Sequence, residues 1–452
     1  MSAPLTAAGI AAAVRAGAPP VDAVRVALDR IEVLDGEVGA FASVRRERAL
    51  AEAALLAGRP DLARLPLAGV PVAVKDTVPV EGVASWREPG EPASADHPLV
   101  LRLRAAGAVV VGTTTASDAS LWPFTDGRSP GGRVVVTRNP WNRSLTAGGS
   151  SGGAGAAVAA GLVPVAQGTD ALGSVRIPAA ACGLVGVAPT PGLVTPVGLG
   201  RTDWSGLAVH GPLATTVEDA ALLLSVLAGH PSLADVGEAG PGVRVVVAVR
   251  PPAVGVRVGR PVVQAIVELA AALRRAGCVL ERDEPRYPRS ATLASLARWT
   301  NAATEDVDEL PAGRRGDAQP RTLQHAALGR LLGRRIRAAD VLDWQAAAAS
   351  FMTGRDLLLM PVTTGAPPPA VEWSRRSWRS NVVASLRWSG GYAGAWNLAG
   401  WPAVALPAGV DAATGTPIGV QLVARPGEEP LLLAVAALVE RLRPWRRVAG
   451  AR

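Results

Sequence analysis

The chain has 452 residues, of which 49% are hydrophobic and 19% charged, with a net charge of +8; this composition supports a sizeable core and excludes a disordered chain. Aromatic residues make up only 4%, so that core must be built mainly from Ala, Val and Leu. Two cysteines, Cys182 and Cys278, and four widely spaced histidines exclude a disulfide framework and argue against a structural metal site.

In chain order, residues 4–58 carry apolar residues at helical spacing (Ala7, Ile10, Val14, then Val21, Val24, Leu28, Ile31), broken at Pro19-Pro20, and predict two or three helices. The opening residues lack a basic segment followed by a Leu-rich one, so no secretory signal is read and the expected location is the cytoplasm. From 66 to 112, the β-branched runs Val70–Val74 and Ala108–Val111 flank a helix near 98–106, an αβ pattern. The segment RNPWNRSLTAGG before Ser150 reads as a loop, and GAGAAVAAGL, 153–162, as an Ala-rich helix. A helix over Glu218–Leu227 follows capping threonines at 215 and 216. Strands are expected at Val243–Val249, Val279–Glu281, Leu357–Val362, Ala403–Leu406 and Ile418–Leu422, with helices at 261–275 and 430–442. Residues 283–345 have a weaker pattern and more arginine, and read as a variable region. Two uncharged stretches, 144–169 and 177–200, are long enough to span a bilayer. Their Gly, Pro, Ser and Thr content predicts buried loops and turns instead. With no repeat and no convincing linker, one large α/β domain is the simplest organisation.

The basic residues single out one position. Of 46, one is lysine, Lys75, and the other 45 are arginine. The positive balance does not point to nucleic acid, because acids are interspersed and the densest cluster, Arg330, Arg334, Arg335 and Arg337, reads as one solvated helix face. Arginine replaces lysine freely where any cation serves, but not where a proton must leave, since guanidinium stays charged. Lys75 closes the apolar strand Val70–Val74. Desolvation there lowers an ammonium pKa and frees the amine as a base. A lysine snorkelling to water is the bland alternative.

The segment TAGGSSGGAGAAVAAGLVPVAQGTDALGSVRIPAAACGLVGVAPTPG is too apolar for a flexible linker and lacks a phosphate-loop pattern. Its GGSSG, 148–152, fits the loose G-x-S-x-G of a nucleophile elbow, which would need a strand before it and a histidine partner. Together with GVPVAVKDT, HGPLATTVEDAALLLSVLAG, WNLAGWPAVALP and TPIGVQLVARPGEEPLLLAVA, this segment resembles the amidase signature hydrolases, and the resemblance covers nearly the whole chain. It implies a single domain, 1–452, with a central mixed β-sheet covered by helices on both faces, a catalytic core at 66–230 and a substrate-side variable region at 283–345. It implies a Ser–Ser–Lys triad with Lys75 as base, Ser150 as bridging serine in a cis Gly149–Ser150 peptide, and Ser174 as nucleophile. Backbone N–H groups of Ala171, Leu172, Gly173 and Ser174 would stabilise the oxyanion, and Ser151 would support the site by hydrogen bonding. Asp170 and Arg176 flank Ser174 as a structural ion pair. No metal or organic cofactor is required by such a mechanism. Where the family has Thr-Gly-Gly before the nucleophile, this chain has Ala171-Leu172-Gly173. A positive φ at Leu172 would strain it; otherwise its side chain reshapes the pocket.

The expected activity is therefore hydrolysis of a linear carboxylic amide through an acyl-enzyme. Few charges lie near the loops carrying Trp122, Trp204, Trp299 and Trp396, the candidate pocket walls, so the expected substrate is an apolar or aromatic small molecule. Neither nucleic acid nor membrane is an expected partner, and a homodimer is compatible with the resemblance. Three readings compete: the A subunit of a tRNA-dependent amidotransferase, against which Ile177 stands where glutamine is usual; a catalytically impaired amidase-like protein, because of Ala171-Leu172; and an esterase using His210, His230 or His325.

Overall fold

The computed structural model describes residues 6–85, 91–129, 131–195, 204, 206–333 and 338–450. The chain begins with α1 (Ala7–Arg15), α2 (Pro20–Val38), β1 (Phe41–Val44) and α3 (Arg46–Leu56). The αβ segment follows as β2 (Pro71–Lys75), α4 (Pro98–Ala105) and β3 (Val109–Thr114). Two short hairpins come next, β4 (Asp126–Arg128) with β5 (Val134–Val136), and β6 (Arg138–Asn139) with β7 (Asn142–Thr146). The second occupies the stretch expected to be a loop; Asn139 and Asn142 sit at its tight turn. The glycine-serine segment gives α5 (Gly152–Ala159), β8 (Val165–Asp170), α6 (Arg176–Cys182) and β9 (Val185–Ala188), followed by β10 (Val209–Ala214) and α7 (Val217–Ala228). The two uncharged stretches are thus largely regular structure rather than the loops and turns expected, and 196–200 lie outside the described residues. No helix among the described residues is long and apolar enough to cross a membrane.

The second half contains β11 (Arg244–Val247), α8 (Arg260–Arg275), β12 (Val279–Arg282), α9 (Arg289–Asp308), α10 (Pro320–Leu332) and α11 (Ala338–Phe351). It closes with β13 (Leu357–Pro361), α12 (Trp378–Ser389), α13 (Tyr392–Ala399), β14 (Ala403–Val410), β15 (Pro417–Val423) and α14 (Glu429–Leu442). The arginine cluster expected on a helix face is described only at Arg330, which is exposed on α10 and pairs with Asp308 at 2.7 Å; Arg334, Arg335 and Arg337 lie outside the described residues.

Eleven strands form one mixed sheet in the order β1-β3-β2-β8-β10-β9-β14-β15-β13-β11-β12. Pairings of β2 with β3 and β8, and of β11 with β12 and β13, are parallel; the others are antiparallel. Successive strand residues point to opposite faces, and β13 shows the consequence. Leu357 and Leu359 enter a core with α2, α7, α8 and α14, whereas Leu358 and Met360 enter a second core with α9, α11 and α13. Helices therefore cover both faces. On α8, Val262, Ile266, Leu269 and Leu273 recur at helical spacing and are all buried, each large side chain contributing about 1.5–3 kcal/mol. The second core holds most of the tryptophans, and the candidate site lies on that side.

Candidate active site

Strand β2 is buried along its full length, and its last residue, Lys75, is completely enclosed. With no part of Lys75 exposed, its ammonium does not reach water, so the snorkelling alternative fails. The Lys75 backbone N–H donates to Gln167 Oε1 at 3.1 Å, and its Nζ donates to Ser150 Oγ at 2.7 Å. Burial, partly offset by the negative charge of Asp170, lowers the Lys75 pKa to about 7.

Ser150 follows a cis peptide bond from Gly149. A side chain at 149 would press on the Trp122 carbonyl oxygen at 2.6 Å, so the backbone approaches here only as glycine. Ser151 lies at the N-terminus of α5. Its N–H donates to the Ser174 carbonyl at 3.2 Å, and its hydroxyl meets the backbone of Thr169 at 3.3 Å. These bonds fasten the 150–151 segment to the turn carrying Ser174. No hydrogen bond joins the Ser150 and Ser174 hydroxyls among the described residues.

The 170–176 turn is held by a buried ion pair. Asp170 accepts from the N–H groups of Gly173 at 2.8 Å and Val175 at 3.1 Å, and from Arg176 Nε and Nη2 at 3.0 Å each. Asn397 Nδ2 adds a bond of 2.9 Å, and Arg176 Nη1 reaches Gln421 Oε1 at 2.9 Å. Burial alone would raise the Asp170 carboxyl pKa, but Arg176, Asn397 and Gly173 outweigh it and lower it to about 2. One of the four expected oxyanion donors is thereby removed: the Gly173 N–H is already committed to Asp170. The N–H groups of Leu172 and Ser174 take no hydrogen bond among the described residues. Gly173 itself has φ 111°, and a Cβ there would meet the Ala393 methyl at 2.6 Å. Leu172 does not lie in the left-handed region, so the substitution is unstrained. Its side chain contacts the face of Gly394 and helps form the cleft wall.

Ser174, Gly149, Leu172 and Ile177 open onto a cavity of about 210 Å³. Its other walls include Trp122, Trp204, Trp299, Leu121 and Leu296, and none of its described lining residues is charged. Trp122 and Trp299 meet edge to face, with ring centroids 5.6 Å apart, and Trp299 Nε1 donates to the Leu121 carbonyl at 2.9 Å. Three non-glycine residues have positive φ among the described residues, Ala119, Ser120 and Trp204, and the latter two line this cavity. Strained backbone of this kind concentrates at functional sites. Trp396 departs from expectation. Its indole N–H is directed at Met360 Sδ, 3.0 Å away, and it is absent from the cavity wall. A helix turns about 100° per residue, which carries Trp396 away from the face formed by Gly394 and Ala395.

The histidines do not complete a serine triad. His325 accepts from Trp378 Nε1 at 3.0 Å and packs on Trp299; His210 Nδ1 meets Gln167 Nε2 at 2.9 Å; His230 is exposed on a loop. Burial lowers the His210 and His325 pKa values to about 3, with His97 and Lys75 adding to the effect at His210.

Gln167, Asn397, Gln421 and Tyr287 were not singled out from the sequence. The first and third interrupt apolar strands, and a polar side chain in a buried strand signals a bonded partner. Tyr287 lines the cavity, and its buried hydroxyl has no hydrogen-bond partner among the described residues.

A buried lysine bonded to one serine, a second serine on an apolar cavity and an ion-paired turn beside it make up the candidate site of a hydrolase. Comparison with known proteins agrees: the Amidase family model matches residues 22–433, and the chain belongs to the amidase signature family. It is 38% identical to the provisionally named amidase AmiB2 of Mycobacterium tuberculosis over 436 residues, covering 93% of this chain and 92% of the relative. The structure of 6-aminohexanoate cyclic dimer hydrolase complexed with substrate superposes with a TM-score of 0.88 at 29% identity, covering 98% of this chain and 97% of that one. A bacterial aryl acylamidase of the amidase signature family superposes with a TM-score of 0.84 at 25% identity and the same coverage.

Proposed function

We propose that this chain hydrolyses a linear carboxylic amide with an apolar or aromatic acyl group, through Ser174, Ser150 and Lys75. The observation that carries this reading is Lys75, sealed at the end of β2, with a pKa of about 7 and its Nζ 2.7 Å from Ser150 Oγ. Near neutral pH about half of such an amine is unprotonated, where a general base is most effective.

In this reading Ser174 Oγ attacks the amide carbon. Its proton passes to Ser150, and the Ser150 proton passes to Lys75 Nζ. The oxyanion forms against the N–H groups of Leu172 and Ser174. Return of the proton through Ser150 to the nitrogen breaks the C–N bond and releases the amine. Water attacks the acyl-serine by the same relay, releasing the carboxylic acid and restoring Ser174. Catalytic hydrogen bonds commonly tighten only in the substrate complex, so the Ser174–Ser150 bond is assigned to that complex. The turn needs no rearrangement, because the Asp170–Arg176 pair already holds it.

The cavity supports the substrate class. Its volume of about 210 Å³ exceeds the roughly 150 Å³ of an apolar cavity that admits benzene. No described side chain there would pair with a charged acyl group. Ile177 supplies an apolar surface at the cavity, which suits a small-molecule amide better than the amide of glutamine.

Aryl and alkyl amides, glutamine and a cyclic diamide, screened with mass detection of acid and amine, test this. Neutral aryl or alkyl amides are expected to turn over at least tenfold faster than glutamine. Preference for glutamine or for the cyclic diamide would overturn the acyl-group assignment. The rate should rise with pH through about 7 and reach a plateau, because the neutral amine increases as the proton leaves. One unit below that pKa, only about a tenth of the plateau rate is expected. A flat profile between pH 5.5 and 8.5 would remove Lys75 as the base.

A further inference from the structure

Gln167 is wholly buried in β8, and the register of the sheet shows what its amide does there. Strand β2 pairs with β8 at Val72–Val165 and Ala73–Ala166, and the registered pairing ends there. On its other side β2 stays paired with β3 as far as Lys75–Thr114. Backbone N–H groups point to alternate sides along a paired strand. That of Asp76 donates to the Thr114 carbonyl of β3 at 3.1 Å, so that of Lys75 faces β8. It is received by the Gln167 side chain, whose Oε1 lies 3.1 Å away. The side chain takes over where the regular ladder stops, at the residue that carries the base.

The partners of Gln167 allow one orientation of its amide. The Lys75 N–H can only donate, which puts Oε1 on that side. The Gly168 carbonyl, 2.7 Å from Nε2, can only accept. His210 Nδ1, 2.9 Å from the same Nε2, must therefore accept as well, which places the imidazole proton on Nε2 of the ring. That ring nitrogen is buried with no hydrogen-bond partner among the described residues, so nothing on its side competes for the tautomer. A charged imidazole would set N–H against N–H. Burial, with His97 and Lys75 adding to it, keeps the ring neutral by lowering its pKa to about 3.

We infer that Gln167 is a positioning residue for Lys75: it anchors the lysine backbone where β2 and β8 part, and neutral His210 holds the amide in the orientation that does so. The role rests on Lys75 as the base of the relay proposed above. Lys75 Nζ lies 2.7 Å from Ser150 Oγ, and a misplacement of about 1 Å at such a contact costs roughly a hundredfold in rate. Neither Gln167 nor His210 lines the catalytic cavity. Their replacement should therefore slow the chemistry without weakening binding.

Labelling of Ser174 by a serine-directed fluorophosphonate tests this on the intact chain, read as a limiting rate and a half-saturating concentration, with circular dichroism to establish folding. Gln167→Met keeps the length and loses both hydrogen bonds. Its limiting rate is expected to fall by about ten- to a hundredfold, with the half-saturating concentration unchanged. His210→Phe keeps a ring but removes the acceptor, and should lose less, because the Gly168 carbonyl still holds Nε2. His210→Asn offers Oδ1 near the place of Nδ1 and should restore the parental rate, which a role in ring packing would not allow. These two variants leave Gln167 in place and decide the matter if Gln167→Met does not fold. A parental limiting rate in folded Gln167→Met, beside a slow Lys75→Met, overturns the positioning role and leaves the relay standing; parental rates in both overturn the relay itself. A change confined to the half-saturating concentration also overturns the positioning role. Equal rates in the two His210 variants, whether slow or parental, overturn the part assigned to His210.

Discussion

Ser174→Ala is expected to lower kcat/KM for amide hydrolysis by a factor on the order of 10⁴–10⁶, the scale seen when a serine nucleophile is removed. The fold should be unchanged. Asp170, Arg176 and Asn397 hold this turn through their own side chains and the N–H groups of Gly173 and Val175. The Ser174 hydroxyl makes no hydrogen bond among the described residues, so its removal leaves no buried partner unpaired. Ser150→Ala should differ in kind, because it strips the Lys75 ammonium of its 2.7 Å partner. Initial rates alongside thermal unfolding separate loss of chemistry from loss of structure. A Ser174→Ala enzyme retaining a few per cent of parental turnover would refute Ser174 as nucleophile.

Lys75→Arg is expected to be as damaging as Lys75→Met, with turnover reduced by at least about a thousandfold in each, somewhat less than for the nucleophile. Arginine keeps the charge and most of the length but cannot become neutral. Methionine fills the space without a base. A role as fixed cation would favour the arginine variant, whereas a role as proton acceptor rejects both. Lys75 is fully buried, so the larger guanidinium also strains its surroundings, and circular dichroism is needed to establish that each variant folds. The methionine variant meets no such steric obstacle and keeps the test decisive. Substantial turnover by folded Lys75→Arg would mean that Lys75 acts by charge alone.

Part of the candidate site was legible in the sequence: chemistry singled out Lys75, and the family resemblance supplied Ser150 and Ser174. In a chain that otherwise uses arginine, a lysine at the end of an apolar strand was the expected position of a proton acceptor. The structure accordingly places Lys75 on β2 and against Ser150. Strands and helices with strong alternation or helical spacing, such as β2, α7 and α8, were read nearly to their ends. Strands β8 and β10 were harder to read, because GTD and HGP punctuate their apolar runs like turns. The hairpin of β6 and β7 was hidden for a similar reason: NPWN reads as a loop, yet it closes two short strands. Residues 283–345 looked weakly patterned because α9 packs with α10 and α11, and these helices also pack with α12 and α13, which blurs a single apolar stripe. Trp396 illustrates the remaining limit. The family resemblance placed a tryptophan near the site, but only the helical phase of α13 decides that Ala395 faces the cavity and Trp396 faces Met360.

The most direct test of the account is the identity of the acylated residue. The enzyme would be treated with a fluorophosphonate, which bonds covalently to an activated serine hydroxyl, then digested and mapped by tandem mass spectrometry. One label per chain is expected, on Ser174. Labelling should be lost in Ser174→Ala and strongly slowed in Lys75→Met. A label on Ser150 would reverse the two serine roles, and labelling of Ser174 at an undiminished rate without Lys75 would contradict the proton relay.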